Sequence, residues 1–208
     1  IGLGIPAEPL FRSSIPLTSI SGYAELIESG MAKPEDVKIF AGKIHKEAKR
    51  LQSIANDIIT LSKLNDRESE PLDLNEEIYL WNLAQSCIEG LMLNANKKNI
   101  QLSLDGNRNS EITGNSKLLF EMIFNLVDNS IRYTEQGGKV VVVVEENAIV
   151  VKDTGIGIPE ECQSRIFERF YRVDKSHSRE IGGTGLGLAI TKQAVLEHHG
   201  AIRVYSRE

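Results

Sequence analysis

The sequence predicts an α+β protein, with an N-terminal antiparallel helical hairpin followed by a two-layer α/β sandwich. Apolar side chains recur at steps of three and four through residues 15–31 and 35–64, which is the pattern of two helices with one apolar stripe each. Beyond Pro71, short apolar runs of strand length alternate irregularly with three longer helical patterns, and this order disfavours a doubly wound parallel sheet. We therefore expect a hairpin domain at 1–64, a charged linker at 65–71 and a second domain at 72–208.

The composition argues against several classes of protein. A net charge of −5 over 208 residues provides no basic surface, so no nucleic-acid partner is expected. The longest apolar run, Val140–Val144, has the length of a strand and falls short of the roughly 18 residues that cross a membrane. Cys87 and Cys162 form no C-x-x-C pair and are expected to be buried, reduced thiols in the cytosol. Since the chain starts without methionine and stops after a strand-like run, we expect a fragment of a longer protein.

Two apolar stripes and a turn define the helical hairpin. The segment Ser29–Pro34 should break the helical pattern, because it contains Gly30 and ends in proline. The second stripe needs more cover than one helix provides, so two hairpins should pair into a four-helix bundle in a homodimer. A monomeric hairpin packed on the rest of the chain is the alternative. The stripe residues are Leu17, Ile20, Ala24, Ile27 and Met31, then Val37, Phe40, Ile44, Ala48, Leu51, Ile54, Ile58 and Leu61.

The second domain is expected to contain three main helices and several short strands. Gly137-Gly138 should form a turn, and Glu146-Asn147 should join two strands into a hairpin. Gly200 is expected to end the last helix. The expected helices are 76–97, 116–133 and 187–199, and the expected strands are 72–74, 100–104, 140–145, 148–152 and 201–205.

Two glycine clusters bracket a basic segment. The first is D-T-G-I-G-I-P at Asp153–Pro159, and the second is G-G-T-G-L-G-L at Gly182–Leu188. Glycine permits close main-chain approach to a ligand, and the second cluster precedes a helix whose N-terminus favours anions. The cations between the clusters are Arg172, Lys175 and Arg179. Together these features predict a site for a nucleotide with a polyphosphate tail.

Polar residues form one face of the helix expected at 116–133. Glu121, Asn125, Asn129 and either Arg132 or Tyr133 follow one another at steps of three and four. A solvated helix face is the alternative. Carboxamide and carboxylate oxygens suit Mg²⁺, which takes its remaining ligands from water and phosphate. Beside a phosphate-binding loop, this face therefore predicts a site for a magnesium nucleotide.

Asp153 follows the strand expected at 148–152 and opens the first glycine cluster. Its carboxylate can accept a hydrogen bond from an exocyclic amine such as that of adenine, and Gly155 and Gly157 would let the base lie against the main chain. The alternative is that Asp153 forms the turn before Thr154 and Gly155. Neither G-x-x-x-x-G-K-[ST] nor a G-x-G-x-x-G after a strand is present in the sequence.

Four motifs, in this order, resemble those of bacterial sensor histidine kinases. N-L-V-D-N-S-I-R-Y-T at Asn125–Thr134 resembles the N box of that family, and the two glycine clusters resemble its first and second glycine boxes. F-E-R-F-Y-R at Phe167–Arg172 resembles the F box. Residues 72–208 are similar to the ATP-binding domain of the phosphate- and cell-wall-sensing kinases, and Pro16–Glu25 resembles their dimerisation and phosphotransfer domain. The resemblance implies the fold of the histidine kinase, gyrase and chaperone ATPases.

The resemblance also implies ATP and Mg²⁺ as ligands, and a role for each residue of the site. Asn125 and Asn129 would hold Mg²⁺, while Glu121 would lie near the γ-phosphate and Arg132 would contact phosphate, so that Glu121, Asn125 and Arg132 form the catalytic set. Asp153 would accept the adenine amine. The other implied nucleotide contacts are Tyr133, Gly155, Gly157, the lid residues Arg172 and Arg179, and Gly183, Thr184, Gly185, Leu186 and Gly187 of the second glycine box; Phe167 and Phe170 would pack the base of the lid.

The phosphoacceptor region departs from the family pattern. The resemblance places the acceptor histidine at Phe11, its acidic neighbour at Arg12, and a threonine or asparagine at Ile15, just before Pro16. Phenylalanine has no nucleophilic nitrogen, so this chain is not expected to form phosphohistidine at the usual position. Three explanations stay open: these residues differ from the natural sequence, the protein is a natural degenerate kinase, or another histidine serves.

The prolines before Phe11 and the histidines of the chain also bear on where a phosphoryl group could be accepted. Pro6 and Pro9 disfavour a continuous helix over the acceptor position. His45 is the candidate for an alternative acceptor, although a solvated position on the second helix is the simpler interpretation. His177 lies in the lid, and His198-His199 ends a helix, where an imidazolium would complement the helix dipole.

Two functions follow from the resemblance. The first is the cytoplasmic core of a sensor histidine kinase, which moves the γ-phosphoryl of ATP to a histidine and then to an aspartate of a response-regulator receiver domain. Its parent protein would be anchored in the membrane through segments outside this chain. The second is a non-catalytic nucleotide-binding dimer that signals by conformation. The related gyrase-type, chaperone and mismatch-repair ATPases are a third class, but they lack the hairpin and the F-E-R-F-Y segment.

Overall fold

The computed structural model of this protein describes residues 8–65, 72–173 and 183–207. The chain forms two compact units: the first contains Ile1–Ile59 with Gly182–Thr184, and the second contains Thr60–Ile181 with Gly185–Glu208. A helical hairpin is followed by a sheet domain with helices, so the predicted α+β class is confirmed. The elements are α1 (Glu8–Glu28), α2 (Pro34–Asn65), β1 (Glu76–Tyr79), α3 (Leu80–Lys97), β2 (Gln101–Gly106), β3 (Glu111–Gly114), α4 (Ser116–Tyr133), β4 (Lys139–Val144), β5 (Ile149–Asp153), α5 (Glu160–Gln163) and α6 (Gly187–Glu197).

The predicted break between the two hairpin helices is present. Gly30 adopts a φ of 71°, a left-handed conformation that glycine tolerates without strain, and α2 starts at Pro34, where a missing N–H group costs nothing. The rings of Tyr23 and Phe40 pack at 5.2 Å between centroids and join the two helices. α1 starts at Glu8 and is therefore longer than expected, because Pro9 lies in the first helical turn, where proline is tolerated. The expectation that Pro9 would interrupt a helix here is wrong, and Pro6 lies outside the described residues.

Much of the apolar stripe of the hairpin is open to solvent within a single chain. Leu17 is 54% exposed, Met31 is 73% exposed and Ile58 is 47% exposed. Exposed apolar residues that recur on one helix face are typical of a surface that a partner covers. The described helices include none that combines the length and the hydropathy of a membrane span.

The second unit is built on two small sheets. In the larger sheet β4 is central, pairing in parallel with β2 and antiparallel with β5, and the β4–β5 hairpin confirms the turn predicted at Glu146-Asn147. The smaller sheet pairs β1 with β3 antiparallel. Alternate β4 residues point into the core: Val140, Val142 and Val144 are at most 1% exposed. α3 and α4 pack on this sheet, and α6 packs on α4, which gives the predicted layered arrangement of helices and sheet.

The sequence-based boundaries were wrong at several short elements. The strand expected at 72–74 lies instead at Glu76–Tyr79, where only Ile78 is buried; the helix expected from 76 begins at Leu80. Ile78 fits the helical spacing of the apolar residues that follow it. The prediction from apolar spacing therefore included the short strand in the next helix. Neither β3 nor α5 was predicted, and the strand expected at 201–205 is absent from the described residues.

Two helices of the second unit end in the same way. Beyond α3, Asn99 has a φ of 53°, and the N–H groups of Asn99 and Ile100 donate back to the last helical turn. Beyond α6, His199 has a φ of 56°, and the N–H group of Gly200 donates to the carbonyl of Val195 at 2.8 Å. The stop predicted at Gly200 is therefore real, but the left-handed residue is His199.

The two cysteines differ in their surroundings, and both are free thiols. Cys87 is fully buried in α3, and burial raises its thiol pKa to about 12. Cys162 is only half-buried in α5, so the expectation that both thiols are buried is wrong for this residue. None of the side chains of the four-residue α5 is buried.

Candidate nucleotide-binding site

The N-terminus of α4 is fixed by a side-chain cap and by a histidine from α6. Asn115 Oδ1 accepts a hydrogen bond from the Leu118 N–H group at 3.0 Å, which caps the helix. The Asn115 N–H group donates to His198 Nε2 at 2.9 Å, while His198 Nδ1 lies 2.7 Å from the Ala194 carbonyl. An N–H group donates only to an unprotonated nitrogen, so His198 is the neutral Nδ1–H tautomer. The prediction of a helix-capping imidazolium at this residue is therefore wrong.

The polar face predicted on α4 borders the second glycine box. Glu121, Asn125 and Asn129 are half-buried, whereas Ile123 and Val127 on the other side of the helix are fully buried. A side chain at Gly187 would place its Cβ 3.1 Å from Asn125 Oδ1, tighter than ordinary van der Waals contact. The glycine thus keeps the carboxamide oxygen close to the start of α6.

The last turn of α4 meets the first glycine box. The carbonyl of Tyr133 accepts a hydrogen bond from the Ile156 N–H group at 3.2 Å. A Cβ at Gly155 would lie 2.7 Å from the same Tyr133 oxygen and 2.8 Å from Asp153 Oδ1. No residue other than glycine fits at 155 without displacing main chain. Gly157 has a φ of 76°, which is a conformation that other residues rarely adopt.

Asp153 is held by two hydrogen bonds, one to each carboxylate oxygen. Oδ1 accepts from the Gly155 N–H group at 2.9 Å, and Oδ2 accepts from the Ser130 hydroxyl at 2.9 Å. The first bond confirms that Asp153 forms a turn, which was the simpler of the two interpretations. Each carboxylate oxygen has two lone pairs, and Asp153 is exposed, so a further donor can still bind. The turn and a role in recognising an amine are therefore compatible.

Arg132 is paired within its own helix. Its Nε atom lies 2.6 Å from Asp128 Oδ2, one helical turn earlier, and the two side chains are 35% and 19% exposed. Asp128 and Ser130 were not among the predicted site residues, although both lie inside the N box. The position of Asp128 four residues before Arg132 was a usable signal, because such pairs are neighbours on a helix; the Ser130 hydroxyl bonds Asp153, 23 positions away, which no local spacing indicates.

The second glycine box is described from Gly183 onward. Gly185 has a φ of 72°; its carbonyl accepts from the Phe170 N–H group at 2.8 Å, and a Cβ there would lie 3.1 Å from Phe170 Cα. Phe170 packs against Leu186 and Ile190, which are fully buried. This cluster ties the F box to the start of α6, as the predicted packing role of Phe170 requires.

The rest of the predicted lid is only partly described. Thr184 groups with the first unit, where burial raises the pKa of the Asp57 carboxyl and a hydrogen bond with the Thr184 side chain offsets part of that rise. Arg172 is half-buried. The predicted residues Lys175, His177, Arg179 and Gly182 lie outside the described residues. The roles of Thr184, Arg172 and Arg179 stay predictions.

The donor set fits Mg²⁺ only in the presence of a phosphate ligand. Asn125 and Asn129 offer neutral carboxamide oxygens from the same face of α4, and such hard donors suit Mg²⁺ when phosphate and water complete its coordination. Within 8–65, 72–173 and 183–207, no three or more His, Cys, Asp or Glu side chains converge as a self-sufficient metal site. The residues present therefore match a metal that arrives with a nucleotide.

Comparison with known protein families matches both parts of the chain. Residues 15–67 match the family described as the His Kinase A (phospho-acceptor) domain, and residues 114–208 match the histidine kinase-, DNA gyrase B- and HSP90-like ATPases. The first match begins at residue 15, after the departing positions Phe11 and Arg12. The folds implied by the sequence motifs are thus those that the family models recognise.

Individual relatives lead to the same family. The chain is 35% identical over 196 residues to the sensor-like histidine kinase SenX3 of Mycolicibacterium smegmatis, covering 92% of this chain and 50% of the relative. It is 34% identical over 210 residues to the sensor protein kinase WalK of Staphylococcus aureus, covering 93% of this chain and 48% of the relative. The chain therefore spans about half the length of these curated relatives.

A solved structure matches across both units. It is the histidine kinase ThkA in complex with the response regulator protein TrrA, with a TM-score of 0.67 and 25% identity over 84% of this chain and 52% of that chain. The motifs, the two domain matches and the relatives agree on one assignment. This chain belongs to the bacterial sensor histidine kinases, and it comprises a phospho-acceptor-type hairpin and an ATPase-type domain of that family.

Proposed function

We propose that the second unit of this chain binds Mg-ATP and acts as the catalytic part of a histidine kinase. One observation carries the proposal: α4 reaches both glycine boxes, Gly187 through Asn125 and the pair Gly155–Ile156 through Tyr133. A helix face bearing carboxamides between two main-chain loops provides hydrogen-bond partners for phosphates at one end and a base at the other. The second glycine box is the phosphate end, since it precedes the N-terminus of α6.

Each residue of the site has a proposed part in holding the nucleotide. Asp153 accepts the exocyclic amine of adenine on a free lone pair of its carboxylate, which Ser130 and Gly155 hold in place. Tyr133, which is 38% exposed, lines the base. The main chain of Gly185, Leu186 and Gly187 covers the phosphates. These contacts orient the γ-phosphoryl group, and orientation supplies much of the rate enhancement in phosphoryl transfer.

The catalytic set acts on the phosphate end. Asn125 and Asn129 hold Mg²⁺ through their carboxamide oxygens, while Glu121 lies toward the γ-phosphate. When bound, Mg²⁺ neutralises phosphate charge that would otherwise repel a nucleophile. Arg132 contacts phosphate from the last turn of α4, where its Nε atom also pairs with Asp128.

The proposed reaction transfers the γ-phosphoryl group to a histidine. The imidazole nitrogen forms a bond to the γ-phosphorus, the bond to the bridging oxygen breaks, and ADP leaves while a neighbouring carboxylate, acting as a base, takes the imidazole proton. In this chain Phe11 stands at the position where the family has the acceptor histidine. Arg12 stands where the family has the acidic residue that takes the proton. The proposed acceptor is therefore a histidine on another chain, with His45 of this chain as the alternative. A response-regulator aspartate then takes the phosphoryl group; the similar kinase ThkA forms a complex with a response regulator protein, TrrA, which supports a partner of this class.

A second candidate function is supported by the same N-terminal departure. Because Phe11, Arg12 and Ile15 replace all three reactive positions of the hairpin, the chain could bind nucleotide and signal by conformation without any phosphoryl transfer. The two functions differ in one observable: only the kinase labels a histidine-bearing partner from γ-labelled ATP.

The hairpin unit is proposed to form a homodimer. A second copy is the proposed cover for the exposed stripe residues Leu17 and Ile58, because the same apolar stripe on both chains is self-complementary. Sedimentation equilibrium of this chain should show a dimer, and Ile58→Glu should shift it toward monomer while the second unit stays folded. A single monomeric species of the unmodified chain at high concentration would contradict this arrangement.

The parent protein is proposed to be anchored to the cell membrane through segments beyond this chain.

The nucleotide site is tested by a pair of glycine substitutions. We expect the unmodified chain to bind ADP in calorimetric titration with one site, and Gly155→Ala to weaken binding by about tenfold or more. The added Cβ would lie 2.7 Å from the Tyr133 oxygen and 2.8 Å from Asp153 Oδ1, so the adenine end of the site must shift.

Gly90→Ala provides the matched control, because this exposed position in α3 has no atoms within 4 Å of an added Cβ. Alanine there should leave ADP affinity unchanged and favour the helix. If ADP fails to bind the unmodified chain, or if Gly155→Ala binds as well as Gly90→Ala, the proposed site is wrong.

A further inference from the structure

We propose that Lys98 is a positioning residue for the nucleotide site, acting on the last turn of α4 without touching the nucleotide. Its ammonium group donates to three main-chain carbonyls: Ile131 at 3.0 Å, Arg132 at 2.7 Å and Thr134 at 2.9 Å. An ammonium group has three N–H donors, so all of them are used by the end of this helix. The residue follows α3 directly, at the position that caps that helix.

Lys98 completes the hydrogen bonding of the end of α4. The last four carbonyls of a helix have no partner within it, and they must find partners elsewhere. Here the Lys98 ammonium group donates to the carbonyls of Ile131, Arg132 and Thr134. The Ile156 N–H group donates to the carbonyl of Tyr133. Each carbonyl from 131 to 134 is therefore engaged.

The charge of Lys98 also suits its position. A helix C-terminus carries a partial negative charge, which a lysine at the last turn stabilises. The side chain is half-buried, so its charge is less screened than that of a surface lysine. Its own carbonyl accepts a hydrogen bond from the Gly137 N–H group at 3.1 Å, which ties the turn after α4 to the same residue.

This anchoring reaches the site through Tyr133 and Ser130. Tyr133 lies between the anchored carbonyls and contacts the first glycine box, and the carbonyl of Ser130 accepts the Thr134 N–H group in the same turn. The Ser130 hydroxyl in turn holds Asp153. Without Lys98, the desolvated carbonyls would need water, the turn would loosen, and the proposed adenine-binding carboxylate would lose its fixed direction.

The inference rests on the proposed nucleotide site and is tested with Lys98→Met, which keeps the length of the side chain and removes the donors. The control is Lys97→Met, at the exposed neighbouring position in the last turn of α3. We expect Lys98→Met to raise the calorimetric Kd for both ADP and adenosine by about tenfold, with one site still titrated per chain. Adenosine is included because the loss should fall on the base end of the ligand.

A merely structural role would give a different result. In that case Lys98→Met would lower the fraction of chains that bind, and the titrated stoichiometry would fall while Kd stayed at the unmodified value. That outcome, or a Kd equal to that of Lys97→Met, would overturn the proposal. Lys98→Arg keeps the charge but has a planar group that does not point to three converging carbonyls, so it should give an intermediate Kd.

Amide hydrogen exchange makes the test independent of the nucleotide and of the proposed function. The N–H groups of Thr134 and Ile156 report on the anchored turn, and they should exchange at least about tenfold faster in Lys98→Met, or in Lys98→Arg if the methionine variant does not fold. The amides of Val142 and Val144 in the central strand should be unchanged. Unchanged exchange at Thr134 and Ile156 would overturn the role of Lys98 even if no ligand bound, whereas faster exchange without ADP binding to the unmodified chain would overturn only the proposed nucleotide site.

Discussion

Phe11→His should turn a chain that takes up no label from γ-labelled Mg-ATP into one that becomes phosphorylated. The change supplies an imidazole at the position where the family resemblance places the acceptor, five residues before Pro16. The backbone at this position is already helical, because α1 extends from Glu8 to Glu28. The label should be labile to acid and stable to base, as expected for a phosphorus–nitrogen bond.

The neighbouring residue should limit the rate of this reaction. Arg12 occupies the position where an acidic residue would take the imidazole proton, and a guanidinium group does not accept protons near neutral pH. We therefore expect Phe11→His with Arg12→Glu to label faster than Phe11→His alone, by about tenfold or more, since general base catalysis contributes factors of this order or larger. Phe11→Gln is the matched control, because glutamine is polar but not nucleophilic.

Mixing the chains separates the two proposed functions. If the unmodified ATPase-type domain is active, it should label a Phe11→His chain whose own nucleotide site has been disabled by Asn129→Asp. Label on the unmodified chain alone would show that another histidine accepts phosphate, against the solvated interpretation of His45. No label on any combination, with ADP binding intact, would favour the non-catalytic nucleotide-binding module.

The parts of the fold that sequence could predict are those in which one local pattern dominates. α4 was predicted at its observed bounds, since its apolar positions recur with helical spacing. The β4–β5 hairpin was also found, because an apolar run on each side of Glu146-Asn147 is a strong local signal. The short strands β1 and β3 pair with each other although α3 and β2 lie between them in the chain, and neither carries enough residues to show a period of its own.

The candidate site likewise has parts that a local sequence pattern predicts and parts that depend on distant contacts. Its glycine boxes and the polar face of α4 could be found because each lies in one continuous stretch of sequence. The contacts of Lys98 could not, since they join residues that are 33 to 36 positions apart and depend on how α3 meets the end of α4. The neutral state of His198 was missed for the same reason, because its partner Asn115 lies 83 positions away.

Asn129→Asp is expected to abolish binding or turnover of Mg-ATP. The substitution keeps the size of the side chain but replaces a neutral carboxamide, which can both donate and accept, with a charged acceptor. Asn129 lies one helical turn from Asn125, on the half-buried polar face where the triphosphate is proposed to bind. A new negative charge there would repel phosphate oxygens, and partial burial would weaken the screening that moderates such repulsion at a surface.

The measurement should be made in the Phe11→His background, so that one preparation reports both affinity and transfer. Asn147→Asp provides the same chemical change at an exposed turn between β4 and β5, and it should alter neither quantity. We expect Asn129→Asp to show no saturable Mg-ATP binding in the concentration range that saturates the Asn147→Asp control, and no acid-labile label. Adenosine lacks phosphates, so its affinity should survive, which separates charge repulsion from damage to the fold. If Asn129→Asp bound Mg-ATP and became labelled as well as the control, Asn129 would not be part of the metal site. The proposal that the polar face of α4 binds Mg-ATP would then be wrong.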